Sequence, residues 1–306
     1  MSHGCRRVLV WLGLWLLGLA SPVGAETVPQ VTVVLSDGAP TYREVANAFV
    51  AGLAGKYPAT VRVLADLTDA ELAALRLPGA LIVPVGVLAM RAVYDQPGRE
   101  ATILSLLVPR ATSRVTVGAG GRDSAVYLDQ SPARVLAFTR RLLPKARRIG
   151  IVASNESADG LRGYQAEAAR GELELVVEWA QSSQDVGPAL QRLLPRVDVL
   201  LLVPDSRVVN EASVRQILIA SYRSRVPVVG FSRGLANAGA VASLVSSPAG
   251  IGGLGAQLVR QRNPATGALP PARNADQFEV VFNRQVARSL AVELPEDGQG
   301  LVDGRD

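Results

Sequence analysis

The residues with the most obvious chemical potential sit in two glycine-framed motifs. Gly230-Phe231-Ser232-Arg233-Gly234 has the G-x-S-x-G spacing that holds a nucleophilic serine at a strand-to-helix turn. Such a serine needs a base to take its proton, normally a histidine. The only histidine is His3 and the only cysteine is Cys5. Both precede an apolar run from Val8 to Leu19, which comes after Arg6 and Arg7 and leads through Pro22 and Val23 to Ala25. A positive pair, a short apolar core and small residues before Glu26 form a secretory signal, with cleavage expected after Ala25 and the mature chain in the periplasm. The alternative, a membrane anchor, would need about 20 apolar residues. Cys5 lies before the apolar core, so it is not the lipidated cysteine of a lipoprotein signal.

Losing His3 and Cys5 leaves a chain without imidazole or thiol. Lys56 and Lys145 are the only lysines, and neither stands in an S-x-x-K context. Ser232 is therefore expected to offer its hydroxyl to a ligand or to cap the next turn, and the chain is not expected to be an enzyme. Paired carboxylates could still serve glycoside chemistry, but sequence does not place two of them face to face. Gly250-Ile251-Gly252-Gly253-Leu254-Gly255 fits G-x-G-x-x-G, yet its helix runs into a Pro/Gly-rich stretch rather than a second strand with an acidic end. These glycines are expected to let a helix approach its neighbour closely, and no cofactor is expected. The acidic groups Glu156 with Asp159, and Glu293 with Glu296 and Asp297, lack calcium-loop spacing and read as solvated charge, so no metal site is expected.

The net charge of +5 drops to +3 once Arg6 and Arg7 are removed. Aromatic residues make up 5% of the chain and no dense basic run occurs, which argues against nucleic-acid binding.

The elements that would position these residues alternate β-rich apolar runs with helical stretches. Strands are expected at Val31–Ser36, Val61–Ala65, Ala80–Pro84, Thr102–Val108 and Val126–Leu128, then at Ile149–Ala153, Glu174–Trp179, Val197–Val203, Val226–Phe231, Ala240–Val245 and Phe278–Phe282. Continuous apolar strands separated by helices of about ten residues indicate parallel sheets covered on both faces. The fold class is thus α/β with two lobes: an N-terminal lobe over residues 26–122 and a C-terminal lobe over 123–246, with a crossing near Gly118–Asp123. The segment 247–306 is expected to cross back between lobes and end in a frayed tail. Asn263–Asn274, rich in Pro, Gly and Ala, reads as a loop.

In open parallel sheets, ligands bind beyond the carboxyl ends of strands. Those ends carry Ser36, Asp37, Gly86, Arg110, Ser154, Asn155, Asp205, Phe231 and Ser232, the candidate ligand-binding residues. Each could instead be a helix cap. Arg110 could meet an anionic ligand or stand as solvated charge.

Leu142-Leu143-Pro144 leading to Arg148-Ile149-Gly150-Ile151-Val152, then Val197 to Asp205 (VDVLLLVPD), Val226 to Ser232 (VPVVGFS) and Ala238-Gly239-Ala240 form an ordered set. Over residues 125–292 the chain resembles the substrate-binding proteins of ABC transporters that include tryptophan-binding periplasmic components. The resemblance implies a type I periplasmic-binding-protein architecture with two Rossmann-like lobes and a small molecule, an amino acid or similar, held between them for uptake. It implies contacts from Ser154, Asn155, Asp205, Phe231 and Ser232, with Gly239 near the hinge and Asp205 holding an α-ammonium. The first half departs from the family pattern: Val108-Pro109-Arg110-Ala111-Thr112 stands for a Thr-Asp-Pro-Val-like turn, and Gly118 to Arg122 for a Gly-Asn-Val-Thr-Gly segment. The expected partner is an ABC permease or, for a sensory relative of the same fold, an outer-membrane receptor or membrane sensor.

Overall fold

A computed structural model describes residues 29–98, 100–116 and 122–295. The expected signal, most of the Gly118–Asp123 stretch and the tail with Glu296 and Asp297 lie outside the described residues.

Two six-stranded sheets form the framework. The first contains β1 (Val31–Leu35), β2 (Ala59–Val63), β3 (Leu81–Val85), β4 (Thr102–Val108) and β5 (Ser124–Tyr127), and β11 (Arg273–Asn274) joins its edge. The second contains β6 (Arg148–Ala153), β7 (Glu174–Trp179), β8 (Val199–Leu201), β9 (Val228–Gly230), β10 (Ala242–Ser246) and β12 (Phe278–Phe282). Their orders are β2-β1-β3-β4-β5-β11 and β7-β6-β8-β9-β10-β12, the same winding used twice. All pairs are parallel except β10 with β12.

Burial explains why the strands read as apolar runs. Val31, Val33 and Leu35 point into one core of the first sheet, while Val34 faces the opposite core with Ile82 and Ile103. In the second sheet Ile149 and Ile151 alternate in the same way with Val152, Leu200 and Leu202. Ser131 caps α5 (Pro132–Leu142) by accepting from the Arg134 amide at 3.3 Å, and Pro132 occupies the first turn where no amide is needed.

The chain passes between lobes at three places: after β5 at Leu128–Ser131, after β10 at Ser246–Ser247, and between β11 and β12. β5 therefore belongs to the first sheet, and the first crossing lies past Tyr127 rather than near Gly118–Asp123. A glycine-rich stretch between a helix and a strand signals a turn but does not say which sheet the strand joins. Helix α10 (Pro248–Arg260) returns to the first lobe and packs along α1 (Pro40–Gly52). A Cβ on Gly252 would stand 2.3 Å from the Val45 carbonyl oxygen, and one on Gly255 2.8 Å from Leu106. Gly252 and Gly255 of the G-x-G-x-x-G stretch thus serve helix packing, while Gly250 stands against Gln277. Gly239, with φ 136°, ends the short helix α9 (Arg233–Ala238) just before β10, at the opposite end of that strand from the crossing. Its positive φ explains the glycine, and the hinge placement does not hold.

The crossings are tied together. Gln130 donates to the Ser246 hydroxyl at 2.5 Å, Ser246 donates to the Leu128 carbonyl at 2.6 Å, and Arg134 donates to Gln130 at 2.7 Å. The Arg134 guanidinium lies 4.8 Å from the Phe278 ring centre, just beyond the third crossing. Gln130 and Ser246 are both buried, so this network sits inside the junction between the lobes.

Candidate functional site

Both windings place their switch points, where strand order reverses, beside β1/β3 and β6/β8. The carboxyl ends at these points face the space between lobes, and that space holds two chambers.

The first chamber, about 450 Å³, lies against the second lobe's switch point. The first lobe supplies Arg110 and Ala111 from α4 (Arg110–Thr116) and Asn274 from β11; the crossing supplies Asp129 and Gln130. The second lobe supplies Asn155 to Ser157, residues of α6 (Ala158–Arg170) including Asp159 and Tyr164, and Val203 with Pro204. Across it, the Thr112 hydroxyl donates to Glu156 Oε1 at 3.0 Å, joining α4 of one lobe to the loop before α6 of the other. Glu156 Oε2 also accepts from the Ser206 hydroxyl at 2.7 Å. Glu156 is therefore more than the solvated charge expected of it.

Electrostatics in this chamber centre on Asp129 and Arg110. Asp129 Oδ2 accepts the Arg110 amide at 2.7 Å. Burial pushes its carboxyl up to about 6, against the lowering effects of that amide and the Arg110 charge. The Arg110 guanidinium lies 4.4 Å from the Tyr127 ring centre and hydrogen-bonds Asn274 Oδ1. Burial, reinforced by the Asp129 charge, raises the Tyr164 hydroxyl well above its ordinary range.

The second chamber, about 610 Å³, lies against the first lobe's switch point. Asp37 and Tyr42 line it from the first lobe, Leu128 and Ser246 from the crossings, and Phe231 and Ser232 from the second lobe. Leu107, at φ 55°, marks a shift of register between β4 and β5 and also faces this chamber. Such bulges re-aim side chains at the ends of strands.

The candidate residues divide between these chambers and the interior. Arg110 and Asn155 line the first; Asn155 exchanges hydrogen bonds with the Gln181 side chain at 3.2 and 3.3 Å. Asp37, Phe231 and Ser232 line the second. Ser232 accepts the Leu235 amide at 3.2 Å and so caps α9, the second of the two roles the G-x-S-x-G motif left open. Ser36, Gly86, Ser154 and Asp205 line neither. Ser36 donates to the Val85 carbonyl at 2.9 Å and accepts the Ala89 amide at 3.0 Å. Gly86, with φ 88°, has no room for a side chain: a Cβ would stand 2.6 Å from Ser36 Oγ and 2.8 Å from the Tyr42 ring. Asp205, 2% exposed, accepts from the Ser154 amide (2.8 Å), the Ser154 hydroxyl (2.9 Å), the Ser157 hydroxyl (2.6 Å) and the amides of Arg207 and Val208 (3.1 and 3.3 Å). Five donors surround the carboxylate inside the second lobe, tying the β6 and β8 ends together.

Sequence reasoning passed over Asp129, Gln130, Thr112 and Tyr164. An acidic residue close after β5 and just before the Ser-Pro cap was a legible signal for Asp129. Tyr164, in mid-helix, carried none.

Among the described residues no group of three or more His, Cys, Asp or Glu is placed to hold a metal ion, and no helix is long and apolar enough to cross a membrane.

Residues 132–299, more than half the chain, match the family described as ABC transporter substrate binding protein. A tyrosine-binding protein of Clostridioides difficile (strain R20291) is 23% identical over 179 residues, covering 56% of this chain and 50% of the relative, so the match spans half of that relative's length. The ligand-free, open structure of CD0873, a substrate binding protein with adhesive properties from Clostridium difficile, superposes with a TM-score of 0.67 at 17% identity, covering 88% of this chain and 97% of that one. A Streptococcus pneumonia ABC domain in complex with L-Trp gives a TM-score of 0.62 at 16% identity, covering 87% and 96%. A conserved domain protein from Vibrio cholerae gives 0.64 at 18%, covering 90% and 99%. The doubly wound pair of lobes is the type I periplasmic-binding-protein fold, and the chain belongs to the ABC transporter substrate binding protein family.

Proposed function

We propose that this protein is an exported receptor that captures a small organic solute in the first interlobe chamber and presents it, closed, to an ABC permease for uptake. The observation that carries this reading is the chamber's makeup: α4 and β11 of one lobe, the crossing at Asp129 and Gln130, and α6 of the other all contribute to its wall. A solute there would touch every part whose relative position changes on closure, so binding would favour the closed arrangement. The volume of about 450 Å³ suits a molecule of amino-acid size. The tyrosine- and tryptophan-binding relatives support that size class. The signal-like Arg6 to Ala25 supports export to the periplasm. Asn155 and Asp129 are assigned to the ligand and Arg110 to the wall beside them, held by Asn274 and the Tyr127 ring, while Ser36, Gly86, Ser154 and Asp205 are assigned to holding the strand ends that frame the site.

The test is a thermal-shift screen of the mature protein against amino acids, amines, organic acids, sugars and nucleobases. A ligand that binds only the native state must raise the melting temperature, by an amount that grows with its concentration. At least one small solute is expected to do so. No shift with any class would reject solute capture.

A further inference from the structure

We propose that the first chamber selects cationic solutes, namely a primary amine on a compact apolar body without a carboxylate of its own. This rests on the solute-capture reading and narrows its ligand class. Of the charged side chains lining the chamber, Arg110 stands against Asp129, Glu156 and Asp159. Arg110 is already engaged by Asn274 and the Tyr127 ring. Glu156 holds the hydroxyls of Thr112 and Ser206, and Asp159 pairs with Arg162 at 2.8 Å. Asp129 differs from both. Its donors are two amides, that of Arg110 at 2.7 Å and its own, and among the described residues no ion pair to it is formed.

A half-buried carboxylate on a cleft wall that makes no ion pair is a site that a ligand's ammonium satisfies: the one cation near it, Arg110, lends its charge at a distance while its guanidinium is turned to Asn274 and Tyr127. A zwitterionic amino acid would bring its own carboxylate into a space lined by three others, opposite a guanidinium that already has partners. Pro132, Leu161, Tyr164 and Val203 supply apolar wall for the rest of the molecule.

The same geometry links binding to protons. The charged and titratable groups around Asp129 are Arg110 from α4, Glu156 from the loop before α6, Asp159 and Tyr164 from α6, Tyr127 from β5, and Arg134 of α5, which reaches Gln130. Burial holds the Asp129 carboxyl up at about 6, so a proton and a ligand cation compete for it over mildly acidic pH. Amine affinity should therefore fall as pH drops through that range.

Calorimetric titration of the full mature chain with two matched sets tests this. Phenethylamine, phenylalanine and hydrocinnamate share one body; isopentylamine, leucine and isocaproate share another. At about pH 7.5 at least one amine should bind roughly tenfold or more tighter than its amino acid, and neither acid should bind. Near pH 5 that amine should lose about tenfold in affinity. Asp129→Asn keeps an acceptor for the Arg110 amide and removes the charge; it should lose about tenfold or more in amine affinity at neutral pH and lose the pH dependence, while melting no lower than the parent. Tighter binding of an amino acid or acid, or an Asn variant that binds the amine like the parent, would overturn the cation preference and leave solute capture standing. If none of the six binds but an uncharged solute from the screen does, the preference is again overturned alone. If nothing binds from either collection, both readings fall.

Discussion

At the scale of single residues, the second lobe shows why a strand-end carboxylate is an ambiguous signal. Asp205 lies past β8 and Asp129 past β5, and both satisfy the rule that polar groups gather at carboxyl ends. Sequence singles out Asp205 as a strand-end residue, and the family resemblance runs through it as well. The structure surrounds Asp205 with five internal donors and leaves Asp129 on the chamber wall. No spacing rule separates these outcomes, because they depend on which hydroxyls the end of the adjacent strand presents. Ser154 and Ser157 come back to Asp205; Asp129 receives the Arg110 backbone alone from its neighbours. Asp205→Ala should therefore destabilise the fold by about 3 kcal/mol, since several buried donors lose a charged acceptor at once. Urea unfolding of the variant checks this; a loss within about 0.5 kcal/mol would contradict the internal role.

Asp129 makes a second, pH-dependent prediction. Its folded carboxyl sits near 6 rather than 3.8, so the native state holds this proton more tightly than the unfolded chain does. The stability this gives is complete below about pH 4 and lost as pH rises through about 6. Asp129→Asn has no such loss. In the absence of ligand it should be more stable than the parent by about 2 kcal/mol at neutral pH, with the difference vanishing toward about pH 4. Denaturation midpoints across that range give the measurement.

At the scale of elements, most of the architecture was legible. Strands buried on both faces must be apolar throughout, and β3 and β4 read that way directly. α4 and α9 leave no periodic trace in the sequence. α4 opens Arg110-Ala111-Thr112 with no cap residue ahead of it, and α9, six residues long, has no room for an apolar period. β11, two residues long, lies in the Pro/Gly/Ala stretch that reads as a loop, and only its pairing with β5 reveals it. The G-x-G-x-x-G stretch illustrates the opposite case, a motif whose physical cause was read correctly although its neighbour was unknown. Gly252 faces α1 so closely that any side chain would drive α10 away from it. Gly252→Leu should destabilise by about 3 kcal/mol or more and detach α10, while Gly253, whose Cβ would meet nothing within 4 Å, should accept alanine with little change. Thermal denaturation of the two variants side by side measures the contrast.

At the scale of the whole molecule, the sequence revealed two lobes but misplaced their first junction, because a chain crossing leaves no periodic trace. What defines the junction is the buried tie among Gln130, Ser246 and Leu128, which forms between segments more than a hundred residues apart. The tie joins two of the crossings between the two chambers, and the Thr112–Glu156 hydrogen bond joins the lobes at the first chamber. A ligand between them would add contacts to both lobes and so shift the population toward closure.

The most direct test of capture in this chamber compares the parent protein with Ala111→Trp in the solute screen. Ala111 lines the chamber from α4, and a tryptophan there would occupy the ligand's space. A solute that raises the parent's melting temperature in a concentration-dependent way should produce no shift in the tryptophan variant, which should itself melt close to the unliganded parent. An undiminished shift in Ala111→Trp would place the ligand elsewhere and contradict capture at this site.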